Sequence, residues 1–224
     1  MRTSRALSLV AAAAAAVLVT GCSGGSSSPV ASRHTSSSTP KQTATRTRPA
    51  APALPALPAG WVRAGDHARR MQVGVPHSWL RLDLSGSGLA ARVKAAKRAH
   101  PGLASRIDDV SHGSGGAFVA FDPSSTGQVL LIEKSLGGVD FPNLETFYQS
   151  FLAPQLKGSI HVTSHRTTRL ANHPALHILA DFQESGLVVH ETIDVLIVNG
   201  TLYDLTFTGN SSTIKRMEAT ASLR

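Results

Sequence analysis

The C-terminal third of the chain alternates apolar and polar residues with the period of a strand. His161–Leu170, Ala175–Phe182, Val188–Val198 and Thr201–Thr208 each carry this pattern. They are separated by Ala171-Asn172-His173-Pro174, by Glu184-Ser185-Gly186 and by Asn199-Gly200. Asn-Gly between two apolar runs is a strong hairpin signal, because both residues tolerate the positive φ of a tight turn. Earlier, Met71–Val75 reads as a short strand stopped by Pro76. After His77-Ser78, the run Trp79-Leu80-Arg81-Leu82-Asp83-Leu84 again has period two. Ala117–Asp122 and Gln128–Lys134 predict a further hairpin around Pro123-Ser124-Ser125-Thr126-Gly127.

Between these strands the period changes to that of a helix. Leu89–Ala99 carries a stripe of Leu89, Val93 and Ala96, and Pro101 restarts a second helix with Leu103, Ile107 and Val110. Asn143 is a suitable N-cap for a helix bearing Leu144, Phe147, Tyr148, Phe151 and Leu152, ended or kinked by Pro154. A last helix is predicted over Thr213–Ala221. Antiparallel strands with helices gathered before and after them define an α+β layered domain. The strand phases place Leu176, Ile178, Ala180 and Phe182 on one apolar face with Val189, Ile193, Val195, Ile197, Tyr203, Leu205 and Phe207. His177, Asp181, His190, Thr192, Asp194, Asp204 and Thr206 fall on the opposite, polar face, so that one side is expected to be core.

The N-terminal quarter has neither period. Arg2 and Arg5 precede an apolar run, Leu7–Val19, and then Val19-Thr20-Gly21-Cys22. The run holds thirteen residues, too few for a membrane span of about 20. A basic start, a short apolar core and small residues at the cut are the marks of a secretory signal. Its end resembles the lipobox of bacterial lipoproteins, which implies cleavage after residue 21 and a diacylglycerol on Cys22. Cys22 is the single cysteine, so the exported domain has no disulfide and must be held by its core. Residues 22–59 are Ser, Thr, Ala and Pro with scattered basic residues, a composition that cannot bury enough surface to fold. They read as a disordered tether, leaving residues 60–224 as a single domain.

Charge sharpens this division. The net charge is +8, but Arg2, Arg5, Arg33, Lys41, Arg46 and Arg48 lie in the first 59 residues, which contain no acid. The folded part is close to neutral, which argues against nucleic acid as a partner. The basic tether suits an anionic membrane or wall surface.

The order of landmarks resembles PsbP/Mog1-like domains. They are the strand ending at Pro76 followed by Trp79, the aromatic helix around Phe147, the turn His173-Pro174-Ala175, the long hairpin, and Tyr203-x-Leu205. With its signal and tether, the chain is similar to the LpqN/LpqT-like group of envelope lipoproteins. The resemblance implies an antiparallel sheet sandwiched by helices (an α/β/α sandwich) and domains that act by binding, with no catalytic motif to carry over. The helical insertion Leu89–Val110, with Lys94, Lys97 and Arg98 on its basic face, is longer than such a domain requires.

Candidate chemistry is sparse. His161/His165 and His173/His177 are spaced by four, which on a strand separates them by roughly 13 Å. His177, His190, Asp181 and Asp194 can approach across a hairpin and are the metal candidates. There is no Gly-x-Ser-x-Gly elbow, no phosphate-binding Gly-rich loop and no dinucleotide fingerprint. Asp108 and Asp109 are adjacent, not facing, as paired glycosidase acids would be. No cofactor is expected. Phe141 and the basic residues Lys94, Lys97 and Arg98 are the candidate contacts to a ligand or partner, while Trp79 reads as a core anchor. The expected function is a non-catalytic, lipid-anchored extracytoplasmic binding or accessory module in cell-envelope assembly or transport. Its partner would be an envelope protein or an apolar envelope ligand, and the oligomeric state is not specified. The alternative is a metal-assisted hydrolase using the His/Asp sheet face.

Overall fold

The computed structural model describes residues 53–65, 70–112, 116–138, 141, 143–157, 160–184 and 186–224. The expected signal segment, Cys22 and the expected tether up to residue 52 lie outside the described residues. The strands are β1 (Trp61–Ala64), β2 (Met71–Pro76), β3 (Leu80–Asp83), β4 (Gly116–Phe121), β5 (Gln128–Ser135), β6 (His161–Leu170), β7 (His173–Glu184), β8 (Leu187–Val198), β9 (Thr201–Thr208) and β10 (Ser222–Leu223). The helices are α1 (Leu89–Ala99), α2 (Ala104–His112), α3 (Leu144–Phe147), α4 (Ala153–Leu156) and α5 (Ser211–Thr220). A 3-10 turn, Pro101–Leu103, joins α1 to α2, and a π-helical stretch, Tyr148–Leu152, joins α3 to α4. No described helix is long and apolar enough to cross a membrane.

Seven strands form one antiparallel sheet in the order β3-β4-β5-β9-β8-β7-β6, and β1-β2-β10 form a small second sheet. The hairpin expected at Asn199-Gly200 is present, with both residues at positive φ (51° and 72°). Ala171 and Asn172 turn the same way between β6 and β7 (50° and 67°). Asn143 caps α3, its side chain accepting from the Thr146 amide at 2.8 Å. Pro154 does not end the helix. The Ala153 amide bonds back to the Tyr148 carbonyl, a five-residue step. This wider turn absorbs the missing proline donor, and the helix continues to Leu156.

Both faces of the large sheet are covered, which corrects the expectation of a single core side. On one face α1 and α2 cover Leu82, Val119, Phe121, Leu130 and Ile132, and α3–α4 cover Leu176, Ile178, Ile193, Val195 and Leu202. On the other face the small sheet and α5 bring Met71, Val73, Val75, Ile214 and Met217 against Phe118, Leu131, Leu205 and Phe207. Trp79 is buried in this second layer, as expected of an anchor. The phase read for β9 is also corrected. Val195 stands opposite Asp204 and Ile193 opposite Thr206, so these polar residues share the face of Leu176 and Ile178. Tyr203, Leu205 and Phe207 lie instead on the face of His177 and Asp194.

The last residues of the expected tether lie against the domain. Leu54, Pro55, Leu57 and Pro58 are half-buried. The Arg63 guanidinium donates both to the Pro55 carbonyl and to the Thr220 carbonyl at the end of α5.

Candidate functional site

Antiparallel register decides which histidines meet which carboxylates. His177 stands directly opposite Asp194, and Asp181 opposite His190. Each pair closes a hydrogen bond: His177 Nδ1 to Asp194 Oδ1 at 2.8 Å, and His190 Nδ1 to Asp181 Oδ1 at 2.6 Å. The pairs are four residues apart along the strands, roughly 13 Å, so the four residues read together from the sequence do not form one site. The His190–Asp181 pair is open to solvent, its imidazole 80% exposed.

The His177–Asp194 pair gains a third member that the sequence reading missed. Asn210 caps α5 by accepting from the Ser212 amide at 2.8 Å, and Ile214 and Met217 bury the helix against the sheet. Glu218 follows directly on that stripe and brings Oε1 to 3.6 Å from His177 Nδ1. Donor atoms of His177, Asp194 and Glu218 all lie within 4.8 Å of one another. The hydrogen bond to Asp194 raises the His177 pKa, with burial opposing it. Burial, with the Asp194 charge adding to it, pushes the Glu218 carboxyl up to about 7.

This cluster lies in the wall of a cavity of about 500 Å³ between β6, β7 and α5. Arg166, the cross-strand neighbour of His177, lines it together with Arg169 and Lys215, and Pro55, from the segment before β1, contributes to its wall. Asp194 Oδ2 and Glu218 Oε1 are buried without a hydrogen-bond partner. A second group of buried acids occupies the other face of the sheet. Asp204 accepts from the Thr206 hydroxyl at 2.9 Å, yet burial pushes its carboxyl up to about 6. Burial, then the charge of Asp204, pushes Glu191 up to about 8.

The remaining sequence candidates lie apart from this cavity. Lys97 forms an ion pair with Asp108 across the α1–α2 contact. Lys94 and Lys97 line a groove of about 600 Å³ with Leu89, Val93 and His112, whereas Arg98 is exposed on α1. Phe141 is half-buried, edge-on to Phe147 at 5.0 Å and to Phe151 at 4.8 Å. His165 stacks on Tyr148 with ring centroids 4.0 Å apart.

No protein-family model and no curated protein matches the chain. Solved structures do. Cyanobacterial PsbP (CyanoP) from Synechocystis overlaps 79% of this chain and all of its own, at 10% identity and a TM-score of 0.51. The structure of LpqN, described as involved in cell envelope biogenesis of Mycobacterium tuberculosis, overlaps 73% of this chain and 90% of its own. Its identity is 11% and its TM-score 0.43. The domain therefore has the PsbP-like α+β fold expected from the landmarks in the sequence.

Proposed function

We propose that the chain is a lipid-anchored, extracytoplasmic binding module that serves cell-envelope assembly or transport without catalysing a reaction. The signal ending at Cys22 and the basic tether argue for a membrane address on the outer side. The PsbP-like domain supplies the scaffold. The observation that carries the reading is the cavity at the root of the tether, walled by Pro55 and rimmed by Arg166, Arg169 and Lys215. Guanidinium and ammonium groups around one concavity suit a phosphate or carboxylate carried by an envelope component. A ligand seated there meets the domain where the chain departs for its anchor.

The test is site-specific photocrosslinking of the full chain in intact cells, with the reactive amino acid at position 215 or, as control, at position 124 in the β4–β5 turn. Adducts to an envelope lipid, polymer or protein at 215 and not at 124 support the reading. Equal adducts at both positions, or none at 215, reject it.

A further inference from the structure

Two buried carboxylate oxygens beside His177, one on Asp194 and one on Glu218, lack a hydrogen-bond donor. Asp194 is 1% exposed; its Oδ1 takes the His177 ring N–H, but its Oδ2 is buried and meets no donor. Glu218 Oε1, from a different element, is likewise buried and without a donor. The two carboxyls lie within hydrogen-bonding reach of each other, where two anions repel unless a shared proton or a cation joins them. A buried carboxylate oxygen left without a partner is costly, and two acceptors converging on one imidazole compound that cost. Arg166 and Lys215 line the same cavity, yet neither forms an ion pair or hydrogen bond with these carboxylates among the described residues. Neither basic side chain therefore gives the two buried oxygens a donor, although the charge of Arg166 reaches Glu218.

We infer that His177, Asp194 and Glu218 form a binding site for a divalent first-row metal ion of the zinc class, with a remaining coordination position facing the cavity. One imidazole nitrogen and two carboxylates are a ligand set that such ions take with three protein donors and an open position. Calcium would ask for six or more oxygens, which the cluster does not provide. Donors about 2.1 Å from a shared ion stand about 3–4 Å apart. His177 Nδ1 is already 2.8 Å from Asp194 Oδ1 and 3.6 Å from Glu218 Oε1. On binding, the metal takes the place of the imidazole proton between His177 and Asp194, and that proton leaves to solvent. The open position then lies beneath the basic rim, where an anionic group can complete the ion's shell while Arg166 and Lys215 hold its outer oxygens. This inference goes beyond the binding reading and stands without it.

Equilibrium dialysis of the full chain, solubilised in detergent, against Zn²⁺ alone tests the site, with Ca²⁺ in parallel. Expected are one Zn²⁺ per chain and no stoichiometric Ca²⁺. Affinity should fall at least tenfold in Glu218→Gln and His177→Ala and stay unchanged in His190→Ala. Glu218→Gln is isosteric and only partly buried, so it reports on ligation even where Asp194→Asn fails to fold. Substitution with Co²⁺ should give a visible absorption band that Glu218→Gln abolishes. Absence of stoichiometric Zn²⁺, or binding that survives both Glu218→Gln and His177→Ala, overturns the inference.

Discussion

The Gly74 amide donates to the Thr220 hydroxyl at 2.7 Å, joining β2 to the last turn of α5. The same hydroxyl donates to the Met217 carbonyl at 2.7 Å, so both of its roles are used inside the core. The contact fixes how closely the helix lies on the small sheet. It thereby fixes the position of Glu218, two residues before Thr220. A Cβ added to Gly74 would stand 2.7 Å from the Leu57 methyl group and 2.8 Å from the Thr220 hydroxyl oxygen.

Gly74→Ala is expected to destabilise the domain by about 1–3 kcal/mol, since extra volume in a packed layer forces neighbours off their positions. Thr220→Val keeps the volume and removes both hydrogen bonds, at a cost of about 1–3 kcal/mol from the buried Gly74 amide left unpaired. Urea denaturation checks both. Parent-like midpoints would show that the α5 contact is slack, and with it the placement of Glu218.

Glu191 makes the stability of the fold depend on pH. Its carboxyl titrates near 8 in the folded domain because of burial and the neighbouring charge of Asp204, and near 4.5 when unfolded. Between these values the native state holds a proton that the unfolded state has released. Stability therefore falls as pH rises from about 4.5 to about 8, and levels off above. Asp204, pushed up to about 6, adds a loss of the same sign at the lower end of that window. Glu218, pushed up to about 7, adds a further loss of the same sign, so Glu191→Gln should remove only the part of the slope that Glu191 contributes. The variant should match the parent near pH 4.5 and exceed it at pH 8.5, by about 1.4 kcal/mol for each pH unit between the two titrations. Denaturation at the two pH values decides the matter; parallel loss of stability in parent and variant would place the titrating group elsewhere.

Phe141, a candidate contact to a ligand or partner, is half-buried in the fold and closes an aromatic cluster. Two edge-on contacts, at 5.0 and 4.8 Å, hold it to Phe147 and Phe151. Such pairs contribute about 0.5–1.5 kcal/mol each beyond the area they bury. Phe141→Ala should therefore cost about 1–3 kcal/mol of stability by thermal or urea unfolding. A variant as stable as the parent would return the ring to a role at the surface.

Local signals in the sequence carried most of the elements, and long-range relationships carried the site. Asn199-Gly200, the Asn143 cap and the Leu103/Ile107/Val110 stripe act through neighbours in the chain, so their readings agree with the structure. The phase of β9 failed because alternation identifies a core face only when the other face meets water. Every residue from Leu202 to Thr208 is buried, and Asp204 and Thr206 lie under helices. β1 escaped notice because four residues between Gly60 and Gly65 carry too little pattern. His177 and Asp194 were legible as partners across a hairpin, since register follows from the turn. Glu218 was not, because nothing in the spacing of 177, 194 and 218 says that α5 crosses that end of the sheet. The available signal was the Ile214/Met217 stripe, which puts residue 218 at the edge of the buried face of α5.

The proposed lipid anchor makes the last and most direct prediction. Cys22 lies outside the described residues, and its proposed role rests on the sequence that precedes it. A lipidated Cys22 would hold the chain by two acyl chains, each buried methylene contributing about 0.8 kcal/mol, which makes attachment durable where one chain is marginal. The basic residues of the tether add attraction that salt screens within a Debye length of about 8 Å at physiological ionic strength. Cys22→Ala should therefore release the protein from the membrane fraction in high salt. Packing against the domain is seen from Leu54 onward, so the melting temperature of the released protein should equal that of the parent. Fractionation in low and high salt, followed by thermal melting of the released chain, measures both. Retention of Cys22→Ala on membranes in high salt, with mass spectrometry showing that residues 1–21 have been removed, would show that the domain binds the bilayer by itself and that the lipid is not the anchor.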